Sequence, residues 1–203
     1  GLSIQIGIVA SILSSIIAVI LGLLSSFNKY FDTFVSWIVD LFLSVPHILA
    51  IILISIALGG GAFGVTVGVA LTHWTSLTRV LRAEIKQIQT SEYVKLSKNL
   101  GKSKLWIATK QILPLIVSQI IVGTILIFPH AIMHEASVTF LGFGLSPHEP
   151  AIGVILSESM KYLATGNWWL ALFPGLSLLI IVLLFDIVGE NIKKLLNPAS
   201  ANN

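Results

Sequence analysis

Five long apolar stretches leave this chain few folds to choose from. They run from Leu2 to Ser26, from about Phe34 to Leu58, from about Val65 to Leu81, from about Leu115 to Phe140 and from about Trp168 to Val188. A helix needs roughly 20 apolar residues to cross about 30 Å of hydrocarbon. An open strand in lipid would leave its backbone N–H and C=O groups unpaired, so each stretch is expected to be helical. Charged residues make up only 10% of the chain, against about 25% in a soluble domain, too few to solvate a globular surface. The expected fold is an all-α polytopic transmembrane bundle with five spans, one domain over residues 1–203.

The basic residues set an orientation. Arg79, Arg82, Lys86, Lys95, Lys98, Lys102, Lys104 and Lys110 lie at the end of the third stretch or between it and the fourth. With that segment in the cytoplasm and the spans alternating, Lys29, Lys193 and Lys194 also fall inside, and only Lys161 lies outside. Eleven of the twelve basic residues then obey the positive-inside rule. A net charge of +3 clustered in this way speaks for topology and not for nucleic-acid binding. The chain has no cysteine, which excludes disulfides and thiolate sites. It opens inside an apolar run at Gly1, without a basic leader, a small-residue cleavage site or an initiator Met, so a fragment lacking a cleavable signal is expected. Trp168 and Trp169 read as interfacial anchors at the outer start of the fifth span.

Residues about 83–113 form the expected cytoplasmic loop. Ser91 is placed to cap a short helix that Gly101 ends. On that helix Tyr93, Val94, Leu96 and Leu100, with Ser97, make a stripe at helical spacing, and such a face can enter a groove on a partner. Leu113-Pro114 is expected to end the loop at the base of the fourth span. The alternative is a solvated basic loop that packs on its own helices. Residues about 145–167 form the expected outer loop. It holds an amphipathic helix from Ala151 to Leu163, with Ile152, Ile155, Leu156, Met160 and Leu163 apolar, and carries His148 and Glu149, candidates for contact with a binding protein or cargo.

Four of the five histidines stand within spans, among them His47 next to Pro46. His130 and His134 are four residues apart and share a helix face, a workable imidazole pair for Ni(II), Cu(II) or Zn(II). His73 lies at comparable depth and can add a third contact. Glu135 sits about 100° around the helix from His134. Ionisable groups inside a membrane are costly, which makes function the default reading, although a neutral histidine can simply bond a backbone carbonyl. That second role is assigned to His47, which follows Pro46 where a kink frees backbone groups. An intramembrane zinc protease is disfavoured, because His134-Glu135 would need a histidine at position 138, which is Val138. A passive channel would not need a cytoplasmic loop built to dock a partner.

The run Glu92-Tyr93-Val94 through Leu100-Gly101 to Ile112-Leu113-Pro114 resembles the coupling-loop motif of binding-protein-dependent ABC importers. His73-Trp74, Arg79 and Arg82 upstream, Ser137 to Gly144, Leu172-Phe173-Pro174-Gly175 and Asp186-Ile187-Val188-Gly189 downstream are similar to the dipeptide, oligopeptide and nickel permease branch. One departure is Lys95-Leu96-Ser97, where the family has Glu-Ala-Ala, which removes that glutamate's salt bridge. The resemblance implies a type I importer fold with six spans in the full subunit. It implies a homologous second permease, two cytoplasmic ATPases that hold ATP and Mg, and an extracellular solute-binding protein. The permease itself would bind no cofactor and catalyse no bond chemistry, and would sit in a bacterial or archaeal cytoplasmic membrane. Glu92, Tyr93, Val94, Leu96, Leu100, Gly101, Leu113 and Pro114 would couple it to the ATPases. Pro129-His130-Ala131-Ile132-Met133-His134 and His73-Trp74 are similar to the nickel subclass. His73, His130, His134 and Glu135 would then line the path, His130 and His134 would bind the metal transiently, and nickel is favoured over peptide as cargo.

Overall fold

The computed structural model describes residues 1–196, all of whose regular elements are helical. In chain order they are α1 (Leu2–Ser25), α2 (Lys29–Ser44), α3 (His47–Ala57), α4 (Gly61–Gln89), α5 (Glu92–Asn99), α6 (Lys104–Ile107), a π-turn (Ala108–Ile112), α7 (Leu113–Phe140), α8 (Ile152–Leu163) and α9 (Trp169–Leu196).

Helix α1 shows how such a bundle sorts its residues. Ile4, Ile8, Ile12, Ile16 and Ile20 form an exposed stripe one turn apart, suited to lipid. The opposite face is small: Gly7, Ala10, Ser11, Ser14, Ala18 and Gly22 are buried against α4 and α7. Lipid supplies no hydrophobic force between helices, so small residues that permit close approach, and hydroxyls that bond across the contact, hold the pair. Ser14 Oγ donates to the Ala70 carbonyl (2.9 Å), and Thr124 Oγ1 donates to Ser15 Oγ (2.7 Å).

Helix α1, the path from Lys104 to Phe140 and α9 are each long and apolar enough to cross a membrane. The third apolar stretch is the first half of α4. That helix has 29 residues, about 44 Å at 1.5 Å per residue, longer than the roughly 30 Å of a hydrocarbon core, and its second half holds Arg79, Arg82, Glu84 and Lys86. The expected loop therefore starts later than residue 83, at Thr90.

The second stretch departs from expectation. It is two helices, α2 and α3, bent by 94°, not one straight span. Val45 and Pro46 are extended (ψ 132° and 127°). Pro46 has no N–H to continue the ladder, and its ring disfavours helical backbone at Val45. The pair still tracks antiparallel to α4. Asp32 accepts from Arg82 (2.6 Å) and Lys86 (2.8 Å), Asp40 meets Arg79 (2.9 Å), and Ile51 and Ser55 pack on Gly68 and Gly64.

Leu113-Pro114 also departs from expectation. Helical structure begins at Lys104, so the dipeptide lies within a helical path and ends no loop. The π-turn lies just before it, and the Leu113 N–H reaches the Ala108 carbonyl. A widened turn accommodates a proline that would otherwise clash with the carbonyl four residues back.

Two cores result. One gathers Val35, Val39, Leu81, Ile85, Val94 and Ile112 at the basic end, and the other Ile6, Ile51, Val65, Val69, Val138 and Val154 at the far end. Helix α8 sits on the far end, burying Gly153, Val154 and Ser159, while Ile155, Met160 and Leu163 stay exposed. The amphipathic helix expected there is thus present, with much of its apolar stripe uncovered.

Candidate functional site

Between the two cores lies a cavity of about 510 Å³. Its wall is built by α4 (His73, Leu77), α7 (Gly123, His130, His134) and the start of α3 (His47). Glycine at position 123 matters here, because a Cβ would lie 2.4 Å from Leu77 Cδ1, so α4 and α7 meet closely along the wall. Among the described residues the wall carries four imidazoles and Lys193 and no carboxylate.

Three of the imidazoles converge. His47, His73 and His134 each offer a ring nitrogen, and these atoms lie within 4.8 Å of one another. Ring centroids stand 4.9 Å apart for His73–His134, 5.4 Å for His47–His73 and 6.1 Å for His47–His134. His73 is buried, and its Nδ1 lies 3.0 Å from the Val69 carbonyl and 3.1 Å from Thr72 Oγ1. A carbonyl only accepts, so the proton is assigned to Nδ1 and the lone pair to Nε2. His73 Nε2 and His134 Nδ1 are buried without a hydrogen-bond partner among the described residues.

The expected pair is thus regrouped. His130 lines the cavity but is exposed and lies outside the three-histidine group. His47, given only a structural role in the sequence reading, takes its place. The reason is the elbow, which sets the first residue of α3 beside the middle of α4. Glu135, expected on the path, does not line this cavity. It is fully buried and accepts from Thr139 Oγ1 (2.9 Å).

The coupling candidates form a second surface at the basic end. Val94 is completely buried, packed in the core with Ile85 and Ile112, and Ser97 Oγ accepts from Gln111 Nε2 (2.6 Å). Tyr93, Leu96 and Leu100 face outward, the last 69% exposed. The stripe is therefore split, one part anchoring α5 and the other presented. Glu92 pairs with Lys95 (2.8 Å). Gly101 has φ +77°. The Lys102 N–H reaches the Ser97 carbonyl and the Gly101 N–H the Lys98 carbonyl, a Schellman stop. Ser91 stands at the N-cap position, but its hydroxyl donates back to Ile88 (2.6 Å) instead of capping.

A solved inward-facing form of the MetNI methionine ABC transporter superposes with a TM-score of 0.76, covering 97% of this chain and 93% of that one at 18% identity. The described residues therefore have the all-helical fold of a type I ABC importer permease. The chain belongs to the family described as binding-protein-dependent transport system inner membrane component, whose model matches residues 12–200. A Brucella suis protein provisionally named a peptide transport system permease is 31% identical over 97% of this chain and 66% of its own length. The dipeptide permease DppC and the oligopeptide permease OppC of Bacillus subtilis are 28% and 31% identical over 97% of this chain. The chain spans 62% and 65% of those two proteins.

Proposed function

We propose that the chain forms one half of the translocation path of an ATP-driven importer in a bacterial or archaeal cytoplasmic membrane, and that its cargo is nickel, free or chelated. The observation that carries the cargo reading is the cavity wall, where four imidazoles face one space with no carboxylate among the described residues. Imidazole suits late divalent metals, and the fixed charges nearest the four rings are Lys193 on this wall and Glu84 in the adjoining cavity that shares Gln119, Val122 and Lys193. A homologous permease completes the path, an external binding protein delivers cargo, and two ATPases holding ATP and Mg supply the work. The permease moves cargo and makes or breaks no bond. Helix α5 passes the ATPase motion to α4 and α7 through Val94 and Ser97, a ligand-biased rigid-body switch.

Peptide cargo is the second reading, favoured by the names of the relatives. The deciding experiment is uptake by the complete transporter in proteoliposomes. ATP-dependent nickel uptake that excess di- and tripeptides leave untouched supports the metal reading. Peptide uptake with no nickel uptake sinks it.

A further inference from the structure

We infer that His47, His73 and His134 form a three-imidazole site for a late divalent transition metal, with His47 a full ligand and His130 outside it. The inference deepens the cargo reading of the same cavity and rests on it only for the site's role in transport; occupancy is measured separately.

Three elements that are far apart in sequence bring these rings together: the first residue of α3, the middle of α4, and α7 five residues beyond Pro129. The rings are not there to bond one another, since no hydrogen bond joins them among the described residues. His73 has the arrangement of a metal ligand. One ring nitrogen is tied to a backbone carbonyl, which fixes the tautomer and aims the other nitrogen's lone pair. That nitrogen is buried and unpartnered among the described residues. His134 adds a second buried, unpartnered nitrogen.

The spacing admits an ion after a small closure. Metal–nitrogen bonds of about 2.0–2.1 Å put two imidazole nitrogens of a tetrahedral site roughly 3.3 Å apart. Drawing nitrogens together from within 4.8 Å needs about 1.5 Å of movement at most, within reach of side-chain rotation. Three neutral ligands leave a coordination position open to water or a chelator. An open position, unlike a closed cage, gives the ion a route of exchange and release. His130 lies on the exposed side of the same wall, where it meets an arriving ion without joining the group.

The test uses Co(II) as a spectroscopic probe of the purified permease pair with its ATPases, in lipid nanodiscs. We expect His47→Ala, His73→Ala and His134→Ala each to weaken Co(II) binding by about tenfold or more, and His130→Ala to leave it unchanged. Glutamine variants at the same positions, chosen for an unaltered thermal midpoint, guard against misfolding. X-ray absorption on the unmutated complex provides a check independent of mutation, with three imidazoles expected around the ion. Loss of binding in His130→Ala with full binding in His47→Ala would overturn the assignment. So would one imidazole or none in the absorption spectrum, or Co(II) binding that survives all three substitutions. Nickel uptake by a transporter that fails these tests rejects the site alone. Co(II) held by three imidazoles in a transporter that carries only peptide rejects the cargo reading alone.

Discussion

Gly101 does its work through a single torsion. At φ +77° an L side chain meets its own carbonyl, at a cost of roughly 1–2 kcal/mol. Gly101→Ala should therefore fray the end of α5 without unfolding the bundle, and faster amide exchange at Leu100 to Lys102 would register it; unchanged exchange contradicts the capping role. Asp32 carries a larger stake. It holds both Arg82 and Lys86, and its side chain and that of Arg82 are mostly buried. Asp32→Ala leaves a mostly buried guanidinium with only the residue 32 carbonyl as partner and should cost about 3 kcal/mol, read as a lower thermal midpoint in detergent. The glycine stop was legible in the sequence because few residues other than glycine take positive φ. The Asp32 network was not, because its partners are about 50 residues away and only the fold of α2 along α4 selects them.

At the scale of elements, the elbow between α2 and α3 decides what the site contains. Pro46 marks the break in the sequence, but the size of the bend and its depth depend on what α3 packs against. That contact is made by Gly64 and Gly68, four residues apart on one face of α4. A Cβ at Gly64 would lie 2.8 Å from the Ser55 carbonyl, and one at Gly68 would lie 3.0 Å from the Ile51 carbonyl. Backbone cannot rotate away as a side chain can, so Gly64→Val must lift α3. We expect a loss of about 1–3 kcal/mol, together with weaker Co(II) binding as His47 withdraws from His73. A variant that loses stability but binds Co(II) as before would show that α3 does not position the site. This also accounts for the sequence reading of the histidines. The pair at 130 and 134 is visible from helical spacing, whereas His47 joins His73 only through a glycine-mediated helix contact with no signature in spacing from the histidines.

The molecule as a whole joins a cavity between the two cores to an outward-facing apolar face at its basic end, and the connection between them is short. Val94 packs in the same cluster as Ile85 of α4 and Ile112 at the foot of α7, and these two helices continue to His73 and His134. A displacement of α5 thus reaches both walls of the cavity through packed side chains, which transmit strain because interiors are close-packed. The face presented outward, Leu96 and Leu100 with Tyr93, can be altered without touching that packing. Leu96→Glu/Leu100→Glu should leave the permease folded, with an unchanged thermal midpoint and unchanged Co(II) binding, because both side chains are exposed. Placing two carboxylates in an apolar docking groove should cost about 2 kcal/mol or more, roughly 30-fold in ATPase affinity, and ATP-dependent uptake should fall with it. Val94→Ala is the complementary change. It leaves the presented face in place but loosens its anchor, so the ATPases should still dock and hydrolyse ATP while uptake declines. If both variants lost ATPase binding equally, α5 would be a docking peg only, and the route from Val94 through α4 and α7 to the histidines would carry no motion.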